Sequence, residues 1–153
     1  MLSRKTKYAL KALIYLAREY DKGPILISDL ARDERIPKKF LELILLNLKN
    51  NGILQSRKGK GGGYYLGKPP AQVSMGQVVR LMEGPLAPVA CVSETAYAPC
   101  SECESERLCG IRIVMKEVRD SIAGILDGTS LADVLKKVER VRLQDQDSSD
   151  YII

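Results

Sequence analysis

The stretch from Pro37 to Lys68, "PKKFLELILLNLKNNGILQSRKGKGGGYYLGK", decides how the rest of the chain is read. Phe40, Leu41, Ile44, Leu45 and Leu48 recur at helical spacing and predict one buried stripe. The helix starts near Pro37, a residue the first turn tolerates, and stops at Asn50-Asn51-Gly52, where glycine can take a left-handed cap. A strand then ends at Arg57 and a second returns through Tyr64-Tyr65-Leu66. Between them lies Lys58-Gly59-Lys60-Gly61-Gly62-Gly63. The glycines permit the positive φ of a hairpin tip and a close backbone approach to phosphate, and the lysines supply charge. A basic, glycine-thinned hairpin directly after a helix is a wing.

Upstream, residues 2–20 predict a helix with Ala9, Leu10, Leu13, Ile14, Leu16 and Ala17 inward and Tyr8 and Tyr15 in the core. Gly23-Pro24 ends it. Ser28 can cap a short helix that begins at Asp29, and a tight turn at 34–37 leads into the longer helix. A short helix, a turn and a longer helix form the outline of helix-turn-helix. The longer helix turns Lys38, Lys39, Glu42, Asn47 and Lys49 outward. Polar groups near its N-terminal end can meet base edges in a major groove.

Charge agrees with this outline. Residues 1–70 hold 15 Lys and Arg against 6 Asp and Glu; residues 71–153 hold 9 against 13. The first half seeks a polyanion, and nucleic acid is the common partner for such a surface. The chain has no His, and no GxSxG, HExxH or GxxxxGK[ST] run, so the usual tools of catalysis are missing and no enzyme is expected. No window has the uninterrupted apolar length of a membrane span, and the periodic N-terminus reads as an amphipathic helix, so a cytoplasmic protein is expected.

Beyond Lys68, Ser74 and Gln77 form a capping-box pattern that opens a helix ended by Gly84-Pro85. Residues 85–109 have no helical period and hold all four cysteines, Cys91, Cys100, Cys103 and Cys109, spaced C-x8-C-x2-C-x5-C. Four thiols within 19 residues suit zinc or an iron–sulfur cluster, and the spacing alone does not choose between them. A metal-free thiol switch is a further reading. Residues 110–127 carry Ile111, Val114, Met115, Val118, Ile122 and Ile125, a stripe with no partner left in a small winged domain and hence a candidate dimer seam. Gly128 and a Ser130 cap introduce a last helix, and the acidic tail 144–153 is expected to be disordered.

The run from Phe40 to Lys68, together with "TKYALKALIYLA" at 6–17 and "ISDLARDERIP" at 27–37, resembles the IscR-like winged-helix regulators, the bacterial family that includes NsrR and CymR. The resemblance covers roughly residues 1–130, and the wing is its most specific part. It implies a mainly α fold with a small β-hairpin: a winged helix-turn-helix domain over 1–83, a cysteine-rich loop over 84–109, and a dimerisation helix with a final helix over 110–143. It implies a homodimer on palindromic double-stranded DNA. The family's base-reading glutamate falls on Glu42, which can accept from cytosine N4. The DNA-contact candidates are Ser28, Lys38, Lys39, Glu42, Arg57, Lys58, Gly59, Lys60, Gly61 and Tyr64.

The resemblance also implies an iron–sulfur cluster, 2Fe–2S or 4Fe–4S, on Cys91, Cys103 and Cys109. Where IscR has a histidine ligand this chain has Arg112, and where NsrR recruits a partner subunit's acid it has Lys7 or its neighbours. Cys100 is extra, and as fourth ligand it would make an all-cysteine site, with Arg112 as an electrostatic tuner. The alternatives are zinc or no metal, with thiol oxidation or a protein partner as the signal, and, from another class, a small electron-transfer or metal-handling protein. The wing and the basic half speak against the last.

Overall fold

A computed structural model describes residues 2–149. Helix α1 spans Arg4–Arg18, α2 Ile27–Glu34 and α3 Lys38–Asn50; strands β1 Leu54–Arg57 and β2 Gly63–Leu66 follow; then come α4 Met75–Glu83, α5 Gly110–Asp127 and α6 Leu131–Ser149. Short 3-10 turns occur at Pro70–Gln72, Ala90–Val92 and Glu106–Leu108.

Several starts and stops have a local cause. Ser3 caps α1, its Oγ accepting from the Thr6 amide at 3.2 Å. Glu83, at the far end of α4, accepts from the Ser3 amide at 2.6 Å and the Thr6 hydroxyl at 2.5 Å, contacts across 80 and 77 positions that fasten α4 to α1. These contacts hold the Glu83 carboxyl well below its ordinary value, at about 2. Helix α3 ends in a complete Schellman arrangement: the Ile53 amide donates to the Leu48 carbonyl and the Gly52 amide to that of Lys49, each at 3.0 Å. Ser74 caps α4 through the Gln77 amide at 3.0 Å.

The core is aliphatic. Leu13 and Leu16 of α1, Leu30 of α2, Leu41, Ile44, Leu45 and Leu48 of α3, and Ile53, Leu54 and Leu66 of the hairpin are almost fully buried in one cluster. Each contributes about 1.5–3 kcal/mol by leaving water. The hairpin pairs antiparallel from Leu54↔Leu66 to Arg57↔Gly63. Ile25 adds a separate backbone rung to β2, exchanging two 2.8 Å hydrogen bonds with Tyr64. This rung explains Gly63. Its φ is +148°, and a Cβ there would lie 2.2 Å from the Ile25 carbonyl oxygen.

The structure corrects several sequence expectations. Helix α1 is shorter than 2–20. Helix α2 begins one residue before Ser28, with Leu26 at the cap and no side-chain capping bond; Ser28 is instead exposed in the first turn. Pro37 is the N-cap of α3. Phe40 leaves the buried stripe: it is exposed and packs edge-on against Tyr8, centroids 5.8 Å apart. Tyr8 and Tyr15 are half-buried at the margin of the core, and Tyr15 keeps its hydroxyl on Asp33 at 2.8 Å. The segment 144–149, expected to be disordered, continues α6 as helix, and 150–153 lie outside the described residues.

The last helix also joins the N-terminal body. Leu131 is fully buried in its core, the Leu131 amide donates to the Val73 carbonyl at 2.9 Å, and the Met75 amide to that of Thr129 at 2.8 Å. Ser130 and Asp133 cap α6 reciprocally, each accepting from the other's amide. Helix α5 differs from all of these, because none of its residues is buried. Its C-terminal end is held to α4 by the two-armed ion pair of Arg80 with Asp127.

Candidate DNA interface and cysteine cleft

Two features stand apart from the core. The first is the surface of α3 and the wing. Lys38, Lys39, Glu42 and Lys49 are exposed on α3, as are Arg57, Lys58, Gly59, Lys60 and Gly61 on the wing. Asn47, expected outside, is half-buried; it braces the end of α3 by accepting from the Asn51 side chain at 2.9 Å. Among the described residues, none of these cations has an acidic partner, whereas the cations Lys11, Arg18 and Arg32 are paired with acids of α2. The φ angles of Gly59 and Gly61 are +89° and +75°, as a thin tip requires. Tyr64 is placed differently from the other candidates: it is half-buried against the core and held by the Ile25 rung, a packing position.

The second feature is a cleft of about 260 Å3 in which all four cysteines meet. Cys91 comes from the turn Ala90–Val92, Cys100 and Cys103 from the loop, and Cys109 from the cap position of α5; Val89, Ala98, Pro99 and Ile111 supply an apolar lining. Cys91, Cys103 and Cys109 are half-buried and Cys100 is exposed. The Arg112 amide, then the nearby Cys103 and the Ile111 amide, hold the Cys109 thiol below its ordinary value. Desolvation and the proximity of Cys109 push Cys103 up. An anionic group in this cleft would therefore sit at the positive end of an 18-residue helix. Among the described residues, no three Cys, His, Asp or Glu side chains converge tightly enough to hold a single metal ion. The donor set lines a cleft instead, and all-thiolate softness fits zinc and an iron–sulfur group alike.

Two arginines of α5 carry the geometry of this cleft outward. Arg112 Nε donates to the Cys91 carbonyl at 3.3 Å, and Arg119 donates to the Val92 carbonyl at 2.5 Å. Two consecutive carbonyls of the Cys91 turn are thus tied to one helix face. Neither arginine contact was legible beforehand, since both join residues more than 20 positions apart. Beyond the cleft, α5 exposes Val114, Val118, Ile122 and Ile125, and Ile111 at its rim is exposed as well. No described helix is long and apolar enough to cross a membrane.

Comparison with known proteins agrees with this architecture. A helix-turn-helix-type, rrf2-like transcriptional regulator of Rhodobacter capsulatus is 43% identical over 138 residues, covering 88% of this chain and 92% of that protein. The transcriptional regulator CymR of Bacillus subtilis is 32% identical over 133 residues, covering 87% and 88%. Among solved structures, B. subtilis CymR, "the Global Cysteine Regulator", superposes with a TM-score of 0.76 at 29% identity, covering 90% of this chain and 97% of that one. T. potens IscR does so with 0.73 at 26%, covering 92% and 90%. These relatives are named regulators, not enzymes. The family described as "Rrf2: Iron-dependent Transcriptional regulator" matches residues 2–137, and with a winged helix, a basic hairpin and such relatives, the chain belongs to the Rrf2 family of DNA-binding transcriptional regulators.

Proposed function

We propose that this regulator acts as a homodimer on a palindromic operator and senses its signal through an iron–sulfur cluster held by Cys91, Cys100, Cys103 and Cys109. The observation that carries the reading is the meeting of all four thiols in one cleft at the N-terminus of α5, the helix that also bears the unpartnered apolar stripe. Pairing that stripe with its copy sets the distance between the two recognition helices. Lys38, Lys39 and Glu42 then face base edges, and Ser28, Arg57, Lys58 and Lys60, with the Gly59 and Gly61 backbone, face phosphates. Tyr64 serves as packing beneath the wing.

When bound, such a cluster supplies a centre that changes charge or reacts with small oxidants. The chain's own residues supply the transmission. Arg112 and Arg119 fix the Cys91 turn to α5, and Arg80 with Asp127 fixes α5 to α4. A shift of the cysteine loop therefore reaches the seam and the body that carries α3. Coupling of this kind typically amounts to about 1–3 kcal/mol, or 5–150-fold in affinity.

A second reading follows from the Cys103–Cys109 pair. One thiol held low beside one pushed up is the arrangement of a metal-free thiol switch. Protein purified without oxygen separates the two. Visible absorption with matching iron and sulfide is expected for the cluster, and a colourless or zinc-bearing protein would remove it. Selection of binding sites from random DNA, with and without the metal, then reports operator, symmetry and metal dependence.

A further inference from the structure

The outermost line of α3 is not the polar row expected of a recognition helix. Lys39, Leu43, Leu46 and Asn50 follow one another at i, i+4, i+7 and i+11, opposite the buried stripe of Leu41, Ile44, Leu45 and Leu48. Leu43 is 69% exposed and Leu46 is 46% exposed. Neither caps the helix, fills the core or touches the cysteine cleft. Lys38 and Lys39 precede the pair on α3 and Lys49 follows it, all exposed and without acidic partners among the described residues, with Glu42 as the one acid beside it. An apolar spot flanked by free cations fits a surface that is anionic at its edges and apolar at its floor. A DNA major groove is such a surface: phosphates form its rims, and thymine C5-methyl groups line its base.

We propose that Leu43 and Leu46 determine operator specificity by packing on thymine methyl groups, an inference that rests on operator binding through α3. The two side chains stand three residues apart, about 4.5 Å along the helix axis. One base-pair step is about 3.4 Å. They therefore meet neighbouring base pairs, and this apolar readout complements the polar readout of Glu42 and Lys39. A second copy of the chain or an acidic protein is the competing occupant; the flanking cations disfavour the former.

The test uses the full chain and an operator obtained by selection, with each thymine replaced in turn by deoxyuridine, which lacks only the methyl. Fluorescence anisotropy at fixed salt is expected to show about a three- to fivefold loss of affinity at one or two adjacent thymines of each half-site, the scale of one buried methyl group. Leu43→Ala should abolish that sensitivity at one position and Leu46→Ala at its neighbour, while Leu43→Met should retain it. Both leucines are exposed, so thermal melting should be unchanged in all three variants. Tight operator binding with no deoxyuridine effect, or the same effect in the alanine variants, overturns the inference and leaves operator binding standing. A change of oligomeric state in those variants overturns it in favour of a protein contact. If no preferred sequence emerges from selection, operator reading and this inference fall together.

Discussion

The body around α1–α4 and the segment formed by the cysteine loop and α5 are built on opposite terms. In the body, Leu13, Leu16, Leu30, Leu41, Leu45, Leu48, Leu54 and Leu66 are buried to 3% exposure or less, and Ser3 and Ser74 cap α1 and α4 within the chain. In the other segment, α5 runs 18 residues without burying one, and four thiols line a cleft without converging on a point. The body is complete as it stands. On the function proposed above, the segment is completed by a second copy along its stripe and by a bound group in its cleft. A regulator needs both kinds of construction: a stiff reader of DNA, and an element whose state depends on something else.

The largest expected effect tests that division at the stripe. Replacing Val118 and Ile122 by Asp should leave the melting of the body intact but yield a monomer in sedimentation. Operator affinity should then fall by about 100-fold or more, because two half-sites are no longer engaged together. Unchanged affinity would mean that α5 is not the seam. Next comes a truncation in each region. Leu41→Ala in the core should cost about 2–5 kcal/mol in urea unfolding. Ile125→Ala, on a side chain 69% exposed, should cost less than about 0.5 kcal/mol when the protein is dilute enough to be monomeric.

Smaller effects probe the joints. Gly63→Ala should cost about 1–3 kcal/mol, because its φ and the Ile25 carbonyl leave no room for a methyl group. Lys58→Gln with Lys60→Gln should weaken binding to every sequence alike and reduce the salt slope by about 2. An effect confined to one sequence would move those lysines from phosphate to base. The smallest effect concerns Glu83. Its folded value, about 2, lies below the ordinary 4.5, so its stabilisation is fully present above about 4.5 and is lost as pH falls toward 2. The stability gap between the native chain and Glu83→Gln should therefore be widest near neutral pH and close across that window.

Particular residues show where sequence reading succeeds. The wing was legible because glycine and lysine in one short run have few other uses, and the α3 stripe because helical spacing is strict. Ser28 misled because a good capping residue lies two positions after the actual cap, where Leu26 is set by the Ile25–Tyr64 rung. Phe40 misled because its spacing places it at the margin of the stripe, and Tyr8 takes it there. The tail misled because a polar composition does not prevent an already nucleated helix from continuing. Leu43 and Leu46 lie outside the α3 stripe, and spacing alone gives them no role.

The amino-acid sequence by itself determined the elements that depend on near neighbours: helices with their periods and caps, the glycine tip, the charge of each half and the softness of four thiols. Tertiary structure alone decided which of these meet. It gathered the cysteines into one cleft, tied Cys91 and Val92 to α5 through two distant arginines, seated α6 on the N-terminal body and left no residue of α5 fully buried. Local conformation follows from sterics and hydrogen bonds over a few residues. Contacts across tens of residues depend on how the whole apolar surface is shared out when the chain collapses.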